Sequence, residues 1–359
     1  MGAWEDALRD WGGPQFVSGQ LGGFAMDYLC SPPPMPTGVG AIDAETGGMP
    51  RGEVTVLAGD AGMGKTALAC QLCYASAMRG ERPVYVSLEM SRLRCQMRMV
   101  ACHAALNPHL TADMDERVRE VWWSSARPAP GARAMVRDIR AVRPTDPRTG
   151  EDATDAELGK LAAAYESGAY GDDPVMRVWR DMGRQVGEAG GMLVADSLAT
   201  VGGICGLVRD LAGDGAGQLV VIDYAQLVQT GDAEEYDRMA TVSRELRMAA
   251  KDAGCAVLLI SALRKLSGAD RKAGPSMDWL KGNNALAYDA GQVLFLLRPD
   301  GQEGEPGRVR EVELHVAKNR NGASGGRAAL SYDAPRNLVR SAVPDDRWPD
   351  TTGKWLGTA

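Results

Sequence analysis

The sequence predicts an α/β fold, a P-loop NTPase architecture with a mostly parallel sheet flanked by helices. Three observations predict it. First, Gly59-Asp60-Ala61-Gly62-Met63-Gly64-Lys65-Thr66 fits G-x-x-x-x-G-K-[ST], and it lies between an apolar run (53–58, EVTVLA) and a run of good helix formers (67–78, ALACQLCYASAM). That strand–loop–helix order is what a phosphate-binding loop requires. Second, short apolar runs recur at 83–88, 192–197, 219–223, 256–261 and 291–298, separated by stretches of helical character, the alternation that builds a parallel sheet. Third, the run 219–223 ends in Asp223, and in such sheets ligands gather at the carboxyl ends of the strands.

The bulk properties set limits. A chain of 359 residues can bury a sizeable core as one large α/β domain with additions. Asp and Glu total 47 against 40 Lys and Arg, so any contact with nucleic acid must be local. Seven cysteines, no signal-peptide pattern and no apolar run near the ~20 residues of a membrane span point to a cytosolic, cytoplasmic protein with reduced thiols and no membrane partner.

Residues 1–36 read as an N-terminal arm. Trp4, Leu8 and Trp11 share a helical face, and Ser31-Pro32-Pro33-Pro34 ends regular structure. The arm is either a loosely ordered tail or a segment exchanged with a neighbouring subunit. Residues 37–340 form the main domain, and 341–359 a poorly ordered tail. A short helix is expected at 39–44, a second strand at 83–88 and a helix at 91–105. Residues 107–190 carry six prolines, acidic clusters and helical patches at 115–123, 155–166 and 173–188. About fifty of them read as a helical insertion, either a solvated elaboration or a partner-docking surface, with Trp122, Trp123 and Trp179 either its anchors or the insertion's own small core. A strand at 192–197 and a helix at 201–211 follow, then the strand 219–223, an amphipathic helix at 233–253 and a strand at 256–261. Residues 267–276 (SGADRKAGPS) read as a mobile loop. Strands at 291–298 and 308–318 flank a Gly- and acid-rich turn, and Asn321-Gly322 is a favoured tight-turn pair at a hairpin tip.

The chemistry follows from residue type and place. The backbone of Gly59 to Gly64, with Asp60, Ala61, Gly62 and Met63 between them, would cradle phosphates, helped by the helix N-terminus. Lys65 would reach the terminal phosphates, while the Thr66 hydroxyl and Asp223 would hold Mg²⁺. Glu89, at the end of the second strand, stands where a base would activate water. Ser261 ends the strand 256–261, where a γ-phosphate sensor belongs. Lys318 and Arg320 on a projecting hairpin are either a solvated basic tip or a finger given to a neighbour's nucleotide. Cys70-x-x-Cys73, with Cys95, Cys102 and His103 on the next helix, reads as small buried residues rather than a metal site.

Together PTGVGAIDAETGGMPRGEVTVLAGDAGMGKTALA, VSLEM, QLVVIDYAQL, VSRELRMAAKDAGCAVLLISAL, WLKGNNALAYDAGQVLFL and VAKNRNGASG, in that order, resemble the RecA-type ATPase domain of DnaB-like replicative helicases over about residues 36–340. The resemblance implies ATP and Mg²⁺ as cofactors, Glu89 as general base, Arg98 near the nucleotide, and Lys318 and Arg320 completing the site in trans within a homo-oligomeric ring, a hexamer. It also implies a DNA-gripping loop at Lys281, Gly282, Asn283 and Asn284, residues that equally suit a helix cap. Single-stranded DNA and a loader or other replication protein are the implied partners, and ATP-driven translocation on DNA the implied activity. Two departures stand out. Ala262 stands where the family has a glutamine that links nucleotide and DNA loop, with Arg264 or Lys265 as candidate substitutes, and the arm is too short for the family's N-terminal helical domain. A DNA-stimulated remodelling ATPase and an NTP-controlled assembly switch are the alternatives.

Overall fold

The computed structural model describes residues 32–114, 173–212, 219–231, 235–281, 284–299 and 309–343, with isolated positions between 160 and 167. The chain divides into two units, Met1–Pro34 and Met35–Ala359, and the second is described here. The expected arm helix, Trp122 and Trp123, the patch at 115–123, most of that at 155–166, the turn at 300–307, Gly282, Asn283 and the tail beyond Val343 lie outside the described residues.

The elements run α1 (Gly40–Thr46), β1 (Val54–Gly59), α2 (Lys65–Met78), β2 (Val84–Ser87), α3 (Arg92–Leu106), α4 (Pro174–Glu188), β3 (Leu193–Ala195), α5 (Val201–Ala212), β4 (Leu219–Asp223), α6 (Glu235–Ala253), β5 (Ala256–Ser261), α7 (Gly268–Ala273), α8 (Asn284–Asp289), β6 (Gln292–Leu297), β7 (Val309–Asn319), β8 (Arg327–Asp333) and β9 (Leu338–Ser341). Among the described residues one sheet runs β3-β2-β4-β5-β1-β6-β7-β8-β9. The strands from β3 to β6 pair in parallel, and β6 to β9 form an antiparallel extension. This is the predicted α/β, RecA-like arrangement, with β1 near the centre and the phosphate loop at its carboxyl end.

The central strands are apolar throughout because both faces are covered, as parallel sheets require. Val54, Val56 and Ala58 of β1 point into a core shared with α5, α6 and α8, whereas Leu57 points into a second core with α2, α3 and α4. Helix α4 belongs to that second core. Its Val178, Met182 and Val186 recur every four residues and are buried, and Trp179 packs beside them. Burial of each side chain is worth roughly 1.5–3 kcal/mol. The part of the 107–190 stretch in α4 is therefore packed on the main core, and Trp179 contributes to that core rather than to an insertion core of its own. Asp173 caps α4 by accepting from the N–H groups of Val175 and Met176, and Pro174 fits the first turn.

A buried polar knot fastens α4 and α3 to α2. Tyr74 Oη lies 2.6 Å from His103 Nδ1, and His103 Nε2 lies 2.9 Å from Asp181 Oδ2. Burial pushes the Tyr74 hydroxyl well above its usual range, so it keeps its proton and donates it to Nδ1. His103 then donates from Nε2 to Asp181. The cysteines Cys70, Cys73, Cys95, Cys102, Cys205 and Cys255 are buried free thiols, with Cys102 raised by burial to about 12.

Two local expectations are corrected. The stretch 267–276 is not a structureless loop: Ser267 and Asp270 form a reciprocal capping box that starts α7. Nor does Asn321-Gly322 make a two-residue turn. The β7–β8 connection spans residues 320–326, with the Asn319 N–H donating to Ser324 Oγ and Gly325 at φ +88 turning the chain. Among the described residues no helix is long and apolar enough to cross a membrane.

Candidate functional site

The loop between β1 and α2 is shaped by close approaches. A Cβ on Gly59 would lie 2.0 Å from the Leu296 carbonyl of β6, so only glycine lets the two strands sit this close. Gly64 has φ +93, and a Cβ there would meet the Tyr332 ring at 3.0 Å. Lys65 Nζ folds back over the loop and donates to the carbonyls of Gly59 (2.7 Å) and Asp60 (2.9 Å). The result is a cleft of about 620 Å³ at the carboxyl edge of the sheet. It brings together Gly59 to Gly64, Lys65, Thr66, Glu89, Arg98, Asp223 and Ser261 as the sequence predicted, apart from Met63, which is buried in the core behind the loop.

Asp223 is 1% exposed at the end of β4. It accepts hydrogen bonds from Thr66 and from Tyr85, the latter at 2.8 Å. Burial raises its pKa, and the Tyr85 and Thr66 bonds and the Lys65 charge oppose that rise. Lys65 is shifted the other way: burial lowers its pKa, against the pull of Asp223, Asp60 and Glu89. Each is pushed toward neutrality by desolvation and held charged by its partner. A hydroxyl and a carboxylate on adjacent elements form a hard oxygen donor pair that fits Mg²⁺ sharing phosphates and water. Among the described residues no cluster of three or more His, Cys, Asp or Glu could hold a metal by itself. Glu89 is exposed in the cleft mouth.

Several residues that line the cleft or hold its lining were not singled out in the sequence. Arg310 donates to the Gly62 carbonyl at 2.7 Å and stands over the Tyr332 ring. Arg271 on α7 grips Asp60 with both terminal nitrogens, at 2.9 and 3.1 Å. Arg98, which was singled out, is fixed by Asn337 and Tyr332. Gln226, a few residues past Asp223, donates from Nε2 to Ser261 Oγ and to the Lys281 carbonyl, both at 3.0 Å, and accepts from the Ala262 N–H at 3.2 Å. Ser261 itself has no exposed surface. Arg271 was legible through the S-x-x-D capping spacing of α7, whereas the Gln226 and Arg310 contacts join segments far apart in sequence and left no local signal.

The remaining candidates lie elsewhere. Lys281 is exposed where the chain leaves the cleft, its N–H donating to the Ala262 carbonyl at 3.0 Å, and Asn284 begins α8. Lys318 and Arg320 do not enter their own chain's cleft. Lys318 Nζ donates to the carbonyls of Ala287 (2.7 Å) and Tyr288 (2.8 Å), and Arg320 to that of Tyr288 at 3.2 Å. Lys318 pairs with Val293 at the start of β6, level with the start of β1. The phosphate loop leaves the other end of β1, three residues and about 10 Å further along the strand direction at about 3.3 Å per residue. Buried Gln292 and Asn319 fix this edge by donating to the carbonyls of Gly48 and Thr46.

A central parallel sheet with a glycine-lined loop, a lysine and a hydroxyl–carboxylate pair at its carboxyl edge defines a RecA-like P-loop nucleotide-binding domain. The sequence profile described as "DnaB-like helicase C terminal domain" matches residues 34–138 and 172–337, most of the chain, and the chain belongs to that family. The unmatched stretch, 139–171, falls inside the expected insertion. The chain is similar to the replicative DNA helicase DnaC of Bacillus subtilis (strain 168), 25% identical over 300 residues, covering 81% of this chain and 53% of that protein. Over 107 residues, 29% of this chain and 19% of the relative, it is 34% identical to the replicative DNA helicase DnaB of Mycobacterium intracellulare. The chain spans about half the length of the full-length relatives it matches. Its fold is similar to the ATPase domain of G40P, with a TM-score of 0.62, 19% identity, and 92% of this chain and 100% of that one covered. It is also similar to a DnaB-like replicative helicase solved with attention to its interactions with primase, with a TM-score of 0.60, 19% identity, and 91% and 67% covered.

Proposed function

We propose that this chain hydrolyses ATP with Mg²⁺ and uses the energy to move along single-stranded DNA as a homo-oligomeric, hexameric ring in the cytoplasm. The observation that carries the reading is the division of the site between two edges. Lys65, Thr66, Asp223 and Glu89 converge on one cleft, while Lys318 and Arg320 sit at the far edge, where a neighbouring subunit's cleft is the natural recipient. A heterologous, head-to-tail contact that joins edge to cleft gives a ring where the rotation per subunit completes a full turn, and that is the assembly proposed.

In this reading the loop amides and Lys65 bind the phosphates, and Arg98 and Arg310 flank them. Thr66 and Asp223 would hold the metal, which supplies charge neutralisation at the terminal phosphate oxygens. Glu89 takes the proton of the attacking water at its carboxylate. The neighbour's Lys318 and Arg320 stabilise charge on the transferred group. Lys281, with the amides of Gly282, Asn283 and Asn284, binds DNA phosphates without reading sequence. A replication partner of the kind named for the DnaB-like replicative helicase, described with its interactions with primase, is a further expectation.

Hydrolysis measured with and without single-stranded DNA, at several protein concentrations, tests this. Stimulation by DNA and a steep rise with concentration are expected for the wild type, with loss of hydrolysis in Arg320→Ala. Hydrolysis indifferent to DNA in the wild type would remove the translocation reading.

A further inference from the structure

We infer that Gln226 is the positioning residue that couples the nucleotide cleft to the Lys281 loop. The inference rests on the DNA-using reading above and names the residue through which the two sites communicate.

The geometry points to a clamp. Residues 264–279 form an excursion whose base is pinned by a short antiparallel ladder, with Leu263 facing Leu280, the Lys281 N–H on the Ala262 carbonyl and the Arg264 N–H on the Trp279 carbonyl. Gln226 spans both arms of that base. Its amide orientation is fixed, because the Ala262 N–H can only donate to Oε1 and the Lys281 carbonyl can only accept from Nε2. The same Nε2 reaches Ser261 Oγ, at the end of β5, where Ser261 pairs with Ala58 one residue before the phosphate loop. Gln226 is in turn held by the single 3₁₀ turn Ala225–Leu227 that follows Asp223. One planar amide thus ties the strand ending in the metal-binding acid, the strand bordering the phosphate loop and the backbone of Lys281. Displacement of the Ser261–Ala262 peptide shifts the Lys281 carbonyl with it. Ala262 offers no side-chain amide for this task, and Gln226 supplies one from the turn that follows the adjacent strand β4.

Coupling of this kind is reciprocal: a nucleotide that tightens DNA binding is itself tightened by DNA by the same factor. The experiment measures the affinity of wild type, Gln226→Ala and Gln226→Glu for a fluorescent oligothymidylate, with and without a non-hydrolysable ATP analogue. It also measures analogue affinity with and without the oligonucleotide. Glutamate can still accept from the Ala262 N–H but cannot donate to Lys281, so it separates the relay from mere space filling. The expected wild-type coupling is about fivefold or more. In both variants the ratio should fall to within about twofold of unity from either side, while each ligand alone binds within about twofold of wild type. Coupling that survives in Gln226→Glu overturns the relay, as does a wild type that binds DNA with no nucleotide effect. A uniform loss of both affinities in Gln226→Glu would make the residue structural and also overturns it. A wild type that binds no single-stranded DNA overturns the DNA reading itself.

Discussion

At the carboxyl edge of the parallel strands, Lys65, Thr66, Glu89 and Asp223 share one cleft and answer each other's charge; at the amino edge, Lys318 and Arg320 rest on the carbonyls of Ala287 and Tyr288. The first set is nearly self-sufficient: burial pushes Asp223 up and Lys65 down, and each restrains the other's shift. The second set is not. Burial lowers the Lys318 pKa and the adjacent Arg320 cation lowers it further, against the opposing charges of Asp289 and Glu53. Both cations rest on carbonyls at the C-terminal end of α8, a place that favours positive charge, and in the proposed ring a neighbour's phosphates would draw them off it. The difference teaches that one edge gathers its chemistry into a single cleft while the other holds two cations on backbone carbonyls, and on that contrast the proposed trans site rests.

The sharpest way to break this comparison is a mixing experiment. Lys65→Ala and Arg320→Ala should each lower hydrolysis by about 10³-fold or more, the scale of trans fingers in other NTPases. Mixed in equal amounts and allowed to exchange, they should recover roughly a quarter of wild-type hydrolysis, because each head-to-tail contact has an even chance of an intact loop and of an intact finger. If finger and loop served the same chain, mixing would recover nothing.

A smaller effect is expected at Lys281. Lys281→Ala should weaken single-stranded DNA binding by about tenfold or less and reduce the slope of log affinity against log salt by about 0.7. An unchanged slope would remove Lys281 from the phosphate contacts. Smaller again is Arg271→Ala. The Arg271–Asp60 bridge is partly exposed, so its loss should cost less than ~1 kcal/mol in stability, read as a slight change in the urea midpoint. Because the bridge joins α7 to the phosphate loop, nucleotide affinity should change by a few-fold; a change beyond tenfold would mean that Arg271 touches the nucleotide directly.

The carboxyl edge was largely legible in the sequence because its signals are local. A glycine loop, the helix behind it and apolar strands ending in Glu89 or Asp223 need no tertiary knowledge. The amino edge was legible only through family resemblance, since nothing local says that β7 returns Lys318 to the start of β6. Two misreadings have physical causes. Glycines in 267–276 outweighed the Ser267–Asp270 capping box, and Asn321-Gly322 outweighed the Ser324 and Gly325 geometry that lengthens the hairpin loop. Gln226 was hidden because its meaning lies in the Ser261, Ala262 and Lys281 groups that the fold brings to it.

The smallest expected effect tests how α2, which carries the phosphate loop at its start, is anchored from behind. His103 is fully buried, and its pKa is lowered chiefly by desolvation, with the Asp181 bond and charge opposing and His109 and Arg184 adding slightly. A histidine whose folded pKa lies below the unfolded 6.5 favours the neutral form, so its contribution is complete above that pH. The contribution is lost as pH falls below 6.5, at up to about 1.4 kcal/mol per pH unit for one proton. Asp181 does not confuse the reading. Its pKa is lowered by the His103 and Arg184 bonds despite partial burial, so its own contribution is lost only below the usual carboxylate value of 3.8. Urea midpoints at pH 7.5 and 5.5 should therefore fall more for wild type than for His103→Gln, which cannot titrate, even though the variant is the less stable protein at pH 7.5. Equal falls would show that the histidine does not titrate in this window and that the knot behind α2 is indifferent to acid.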